Sequence, residues 1–153
     1  MGTIRTPEPC RLFVAVMYSG QADLDGTLRE LSAKYGAVAY PFGPVPFGFS
    51  SYYEPEMGAG LRKLYQVYQG DFDRSLLPAV KNDTNRLEEQ HAAGGRRTVN
   101  IDPGYLSHDK LVLATTKDFY HRLYLGQGIH AEVTLHFEHG AFRDFPWTYP
   151  DYR

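Results

Sequence analysis

The chain has 153 residues, 42% of them hydrophobic, and its formal net charge is −2. A domain of this length buries roughly 68–70% of its unfolded surface, so its core needs neither disulfides nor a structural metal. The small negative charge gives no overall attraction to nucleic acid, and no stretch approaches the roughly 18 apolar residues of a membrane-spanning helix.

The compartment follows from cysteine usage and from the first residues of the chain. Cys10 is the single cysteine, so no internal disulfide can form and no CxxC pair is available for zinc. The first ten residues contain no apolar run typical of a signal peptide. We therefore expect one cytoplasmic domain over residues 1–153, without a membrane partner.

The first half of the chain predicts strands and helices in alternation. Residues 11–19 are a continuous apolar run, which is typical of a buried central strand. Residues 21–35 carry leucines at helical spacing and predict an amphipathic helix with Ser19 as its cap. Residues 37–53 contain three prolines that favour an edge strand or a wrapping loop, and residues 61–71 alternate as a strand does.

A second helix and a further strand follow. The helix is predicted to have Ser75 as its cap and to end before Gly94-Gly95. Residues 97–101 predict a strand, and Pro103-Gly104 after it fits the central positions of a type II turn.

The last third of the chain predicts three strands at residues 111–116, 121–126 and 129–140, joined by short turns. The order β-α-β-β-α-β matches the split βαβ arrangement. We therefore predict an α+β fold with a ferredoxin-like core, extended by a C-terminal antiparallel β-meander. The aromatic tail PWTYPDYR is expected to pack on the body of the domain.

A basic cluster around the predicted hairpin is the first candidate site. Arginine suits bidentate contact with phosphate or carboxylate, and lysine supplies a point charge. A polar strand end and threonine hydroxyls accompany these cations. The cluster predicts binding of a phosphorylated or carboxylated small molecule, and the alternative is an ordinary solvated sheet edge. The predicted ligand-binding residues are Lys110, Thr115, Lys117, Arg122, Asn100 and Arg97.

Acidic residues give candidates for a metal and for catalysis. Pro55 favours an extended Glu54, and carboxylates two residues apart in an extended chain point the same way. Glu54 and Glu56 could therefore share Mg²⁺, and the alternative is a solvated acidic loop. A histidine can transfer a proton near neutral pH, so the catalytic candidates are His121, Asp102 and Glu132.

The strand predicted at residues 129–140 carries an alternating polar face. His130, Glu132 and His136 lie on that face and could bind a metal. The alternative is the solvated face of an antiparallel strand.

Six separated blocks resemble a bacterial family known as domain of unknown function 4416. They are YYEPEMG, VNIDPGYL, KLVLATTKD, HRLYLG, GIHAEVTL and PWTYPDYR. Some members of the family carry the label GTP-binding protein, but this chain has no GxxxxGK[ST] loop. The resemblance implies no catalytic assignment, and His130 and His136 fall outside its pattern. The blocks match it at Glu54, Glu56, Asp102, Lys110, Lys117, His121, Arg122 and Glu132.

Three functions remain open from the sequence. The first is an enzyme or sensor for a small anionic ligand, held by the basic cluster. The second is a protein-interaction module that uses the aromatic tail and the proline-rich residues 41–46. The third, less favoured, is single-stranded nucleic-acid binding through sheet aromatics, because the chain lacks net positive charge.

Overall fold

A mixed α/β architecture is described for residues 1–153 by the computed structural model. None of its helices is long and apolar enough to cross a membrane. Two short 3-10 turns, Arg74–Leu76 and Pro150–Tyr152, accompany the main elements. In chain order these are β1 (Arg11–Tyr18), α1 (Leu24–Tyr35), β2 (Val38–Pro46), α2 (Glu54–Met57), β3 (Arg62–Tyr68), α3 (Leu77–Gln90), β4 (Val99–Leu106), β5 (Lys110–Thr115), β6 (Leu123–Gly126), β7 (Ile129–Glu138) and β8 (Ala141–Asp144).

All eight strands belong to one antiparallel sheet. Its order is β2-β3-β1-β4-β5-β7-β6, and β8 pairs with β7. The apolar run predicted as a central strand is β1, which pairs with β3 on one side and β4 on the other. This position requires apolar residues on both faces of β1.

Hydrophobic residues pack on both faces of the sheet. Val14 and Val16 of β1 point towards α1 and α3, where they meet Leu31 and Val80. Burying each such side chain contributes about 1.5–3 kcal/mol. On the opposite face, Phe13, Ala15, Leu111 and Leu113 form a smaller cluster that the C-terminal Tyr152 covers. The tail therefore packs on the sheet.

The predicted turn at Pro103-Gly104 is wrong, because β4 runs through both residues. Alternate residues of a strand direct their backbone groups to the same side. The backbone groups of Pro103 and Ile101 therefore both point to the side of β4 on which β5 lies. Pro103 has no N–H to donate, and the pairing of β4 with β5 extends only from Leu106 to Gly104. Beyond Gly104 the two strands separate.

Side chains of α3 take the place of β5 beside the separated end of β4. The Ile101 N–H donates to Glu88 Oε1 at 2.7 Å, and the Ile101 carbonyl accepts from Lys81 Nζ at 2.8 Å. Both side chains are buried, at 4% and 6% exposure for the two residues. The buried backbone of β4 is therefore satisfied without a neighbouring strand.

The helix starts differ from prediction by a few residues. Helix α1 begins at Leu24 rather than at residue 21, because Asp23 rather than Ser19 caps it and accepts from the Gly26 N–H at 2.9 Å. Before α3, Asp73 rather than Ser75 caps the 3-10 turn. Aspartate is as good an N-cap as serine, and the sequence offers both.

The C-terminal strands do not form the predicted meander, because β7 lies between β5 and β6. Burial explains this order. Glu132 and Thr134 of β7 are 3% and 0% exposed, so the face expected to be solvated is buried at its centre. Strand β6 lies at the sheet edge, has four residues and begins two residues later than predicted. Strand β8 was not predicted from the sequence.

We expect Glu88→Leu to reduce the free energy of unfolding by about 1–3 kcal/mol, because the buried Ile101 N–H loses its acceptor. Glu88→Gln retains an acceptor oxygen and should lose less. Urea denaturation measures the stability, and hydrogen exchange of the Ile101 amide reports the local contact.

The matched control is Glu89→Leu, since Glu89 lies next in the helix and is exposed. A surface change of this kind should stay within about 0.5 kcal/mol of the parent. Equal losses in Glu88→Leu and Glu89→Leu would show that Glu88 does not hold β4.

Candidate functional site

A cleft of about 740 Å³ lies where β4 and β5 separate. Its volume falls within the roughly 300–1,000 Å³ typical of small-molecule sites. Strand β4 contributes Asn100 and Asp102, and the end of β5 contributes Thr115. The remaining walls come from α3, the loop between β2 and α2, Lys63 of β3, the segment that follows β5, and the C-terminal tail.

Most of the predicted site residues converge on this cleft. They come from three separated segments of the chain, which the sheet brings together. Those lining it are Arg97, Asn100, Asp102, Thr115, Lys117, Arg122 and Glu132.

Lys110 does not line the cleft. It lies at the opposite end of β5 from Thr115, roughly 16 Å away at the rise of a strand. Its ammonium group pairs instead with Asp109 at 2.8 Å. Lys110 was grouped with the other cations because the predicted hairpin did not show which strand ends lie next to one another.

The extended geometry expected for Glu54 and Glu56 is wrong, because both lie in the short helix α2. Pro55 falls in the first turn of that helix, where a missing N–H does no harm. Glu56 accepts two hydrogen bonds from Arg97 at 2.7 and 2.8 Å, and these bonds lower its pKa. No group of three or more His, Cys, Asp or Glu side chains in the chain could hold a metal ion; the Mg²⁺ assignment stays a prediction.

Asp102 lies on the floor of the cleft. Its Oδ1 contacts Lys81 Nζ at 3.2 Å, and its Oδ2 accepts from the Asn100 amide at 2.9 Å. Burial alone would raise the pKa of Asp102, but attraction to Lys81 and Lys63 and these hydrogen bonds lower it. Asp102 is therefore a carboxylate at neutral pH.

Lys81 and Glu88 were missed as site residues. They lie seven residues apart on the stripe of α3 that also carries Leu77, Val80 and Leu87. Charged residues on the apolar face of a helix are rarely buried unless paired. Their spacing on the apolar face could therefore have predicted that Lys81 and Glu88 make polar contacts on the core side of the helix.

Lys63 and Asp151 form a second buried pair that the sequence did not suggest. Their Nζ and Oδ2 atoms are 2.6 Å apart, and the side chains are 7% and 6% exposed. The ammonium group also lies 4.7 Å from the ring centre of Tyr152. The Tyr65 hydroxyl donates to the Asp151 carbonyl at 3.1 Å. The tail therefore fixes one wall of the cleft.

Glu132 joins His121 and Arg122 at the other wall. Its Oε2 lies 2.8 Å from His121 Nε2 and accepts from Arg122 Nε at 2.9 Å. The His121 ring stacks on Trp147 at 4.9 Å. His121 does not line the cleft but contacts Glu132, which does, and its catalytic role stays a prediction.

Lys117 differs from the other cations of the cleft, because it makes no ion pair. Its Nζ lies 4.9 Å from the ring centre of Tyr52, and its backbone N–H donates to Thr115 Oγ1 at 3.1 Å. Neighbouring Arg122 uses Nε for Glu132 and Nη1 for the Lys117 carbonyl at 3.1 Å, and its Nη2 makes no hydrogen bond within the chain. The other cations, each with a carboxylate partner, are Lys63, Lys81 and Arg97.

These features define a class: a mixed α/β domain with one antiparallel sheet and a charged, aromatic-lined cleft where two strands part. The chain belongs to the family described as domain of unknown function (DUF4416), whose model matches residues 8–153. The predicted resemblance is thereby confirmed. No curated protein and no solved structure matches the chain.

We expect Asp151→Ala to reduce the free energy of unfolding by about 3–5 kcal/mol, because it leaves the buried ammonium group of Lys63 without its direct partner. The nearby charge of Asp102 should keep the loss at the lower end of this range. Replacing both partners, as in Lys63→Met with Asp151→Leu, should recover much of it. A double-mutant cycle of Lys63→Met, Asp151→Leu and the double variant, followed by urea denaturation, measures the coupling, and a coupling near zero would contradict the buried pair.

Acid stability should depend on Asp109. Hydrogen bonds from Lys110 and Ser107 lower its pKa to about 2 from 3.8, so its contribution is present above pH 3.8 and disappears as the pH falls through 2. The effect should be small, since the side chain is 46% exposed. Asp109→Asn should reduce the dependence of the free energy of unfolding on pH between about 2 and 3.8. Asp71 is an exposed aspartate without an ion pair, so Asp71→Asn should leave this dependence unchanged.

Proposed function

We propose that the cleft binds a small anionic ligand, phosphorylated or carboxylated, with Lys117 and Arg122 holding its charged group. The observation that carries this proposal is the state of Lys117, a cleft-lining cation without an internal counter-ion. Lys117 is an exposed residue, so its ammonium group is free to contact a ligand, whereas the carboxylate partners of the other cations already occupy them. The unused Nη2 of Arg122 adds a second donor beside it.

The surrounding groups suit an anion. The guanidinium of Arg122 is held by Glu132 and by a backbone carbonyl, so little rotamer freedom remains to be lost on binding. Thr115 and Thr116 also line the cleft and add hydroxyl donors. Mg²⁺, if used, would be bound through the ligand's own phosphate and one or two carboxylates, for which Asp102 and Glu132 are the candidates.

The proposal extends to the fold. The order β2-β3-β1-β4, with α1 and α3 packed on one face of these strands, supports a ferredoxin-like split βαβ core. In this view β5 to β8 are an extension of the core sheet, and the cleft lies at the junction. The single cysteine supports a cytoplasmic location.

Protein interaction is the second candidate function, and one observation favours it. The segment around the edge strand β6 exposes large apolar side chains, with Tyr120, Leu123 and Tyr124 at 80%, 72% and 64%. An exposed apolar edge strand can pair with another chain. The aromatic tail gives less support, because Trp147 donates to the Val133 carbonyl at 2.9 Å and Thr148 is 2% exposed.

A thermal-shift screen with inorganic phosphate, phosphate esters and carboxylates, each with and without Mg²⁺, tests the first function. A ligand at 100 times its dissociation constant should stabilise the domain by about 2.7 kcal/mol. Lys117→Ala should weaken binding by about tenfold or more, because a charge-assisted hydrogen bond contributes about 1.5–3 kcal/mol.

Arg143→Ala is the control, since it removes the same charge from an exposed residue outside the cleft. Calorimetric titration of both variants with the best anion separates a local contact from a general charge effect. Equal weakening in the two variants, or no binding by any anion, would contradict the proposal.

A further inference from the structure

We infer that the ligand carries neighbouring hydroxyl groups as well as its anionic group, and that Asp102 and Tyr53 hold these hydroxyls on the floor of the cleft. This inference rests on the proposed function. It names the class of ligand: a sugar phosphate, a polyol phosphate or a sugar acid.

Asp102 has unused acceptor capacity that faces the cleft. A carboxylate offers about four lone-pair positions, and each oxygen of Asp102 uses one, towards Lys81 and Asn100. Its side chain is 29% exposed and lines the cleft. The remaining positions can only accept, so the complementary ligand groups are donors.

Two tyrosine hydroxyls beside Asp102 lack protein partners. The Tyr152 hydroxyl is buried and unpartnered, and the Tyr53 hydroxyl makes no hydrogen bond within the chain. Burial, and then the charge of Asp102, raises the pKa of both groups, so both are neutral hydroxyls that donate and accept. The Tyr53 hydroxyl belongs to a cleft-lining residue and can pair with a ligand hydroxyl, whereas the Tyr152 hydroxyl is closed to solvent.

Donors and acceptors side by side suit ligand hydroxyls better than they suit a second anion. An anion here would face the Asp102 carboxylate, whereas a hydroxyl can donate to Asp102 and accept from a tyrosine. The wall above this floor is aromatic, formed by Phe47, Phe49 and Tyr149 among others. It can cover the apolar C–H face of a sugar ring while the ring's hydroxyl edge meets the floor.

The cations and the floor of the cleft thus bind different parts of one ligand molecule. Lys117 and Arg122 take the anionic group, and the floor takes the hydroxyls on the adjoining carbons. A ribonucleoside monophosphate carries the same two features, so the test must separate it from a free sugar phosphate.

The experiment measures dissociation constants by calorimetry for matched probes. Ribose phosphate and glucose phosphate are compared with methyl phosphate, and gluconate with acetate; a ribonucleoside monophosphate is the further arm. The hydroxylated probe should bind about tenfold or more tightly than its hydroxyl-free partner, from one or more added hydrogen bonds. Preference for the nucleotide over ribose phosphate would identify the source as a nucleotide, with the hydroxyl contacts unchanged.

Three variants locate the contacts. Tyr53→Phe should reduce the hydroxyl advantage several-fold while leaving the affinity for methyl phosphate unchanged. Asp102→Asn, measured without Mg²⁺, should reduce the ratio of affinities between hydroxylated and hydroxyl-free probes several-fold. Tyr120→Phe, at an exposed tyrosine outside the cleft, should change neither this ratio nor the affinity for methyl phosphate. Circular dichroism and thermal unfolding establish that each variant is folded, and Tyr53→Phe keeps the test valid if Asp102→Asn fails to fold.

The outcomes separate this inference from the proposed function. If methyl phosphate binds in a Lys117-dependent manner and the hydroxylated probes bind no tighter, the inference is overturned and the anion site stands. An advantage that survives both Tyr53→Phe and Asp102→Asn also overturns it. Absence of binding by every probe overturns both.

Discussion

The contact of α3 with Ile101 is the interaction on which the rest of the site depends. Pro103 cannot donate to β5, so β4 and β5 separate, and the unpaired, buried backbone of β4 must find other partners. Glu88 and Lys81 supply them at 2.7 and 2.8 Å. A strand gap that would otherwise destabilise the sheet thereby becomes a stable cleft, with charged side chains already buried at its base.

Because the cleft forms at a strand gap that charged side chains fill, most of its charges pair with one another and carry no information about a ligand. Glu88 also contacts Arg97 at 3.1 Å, and Lys81 also contacts Asp102. Burial raises the pKa of Glu88 despite these cations, which reflects how strongly the group is desolvated. Charges that neutralise one another hold α3, β4 and the tail together. Charge and hydrogen bonding are left uncompensated within the chain at Lys117 and at the floor hydroxyls, which is why the proposed contacts lie there.

Local pattern made much of the sheet and both long helices predictable, because apolar periodicity is set within each element. Long-range pairing was not predictable in the same way. The sequence around Pro103 reads as a turn, and only the partner strand shows that the missing N–H ends a ladder instead. The insertion of β7 between β5 and β6 depends on burial of Glu132 and Thr134, which alternate as a solvated face would. Residue type alone singled out Asp102, Lys117 and Glu132 as site candidates, but their convergence was not predictable from the sequence. Lys63 and Asp151 meet only through the packed tail.

The carboxylates of the cleft give it a means of discrimination. Asp102 and Glu132 line the same cavity as Lys117, so a ligand with charges at several positions would face repulsion at the floor, where like charges cost several kcal/mol when desolvated. A ligand with one charged end and a neutral hydroxylated body avoids that cost. Selectivity by repulsion complements selectivity by contact. For the proposed ligand, the arrangement would select by the separation between its charge and its hydroxyls, and the tail, fixed by Lys63 and Asp151, would limit how much of its body the cleft encloses.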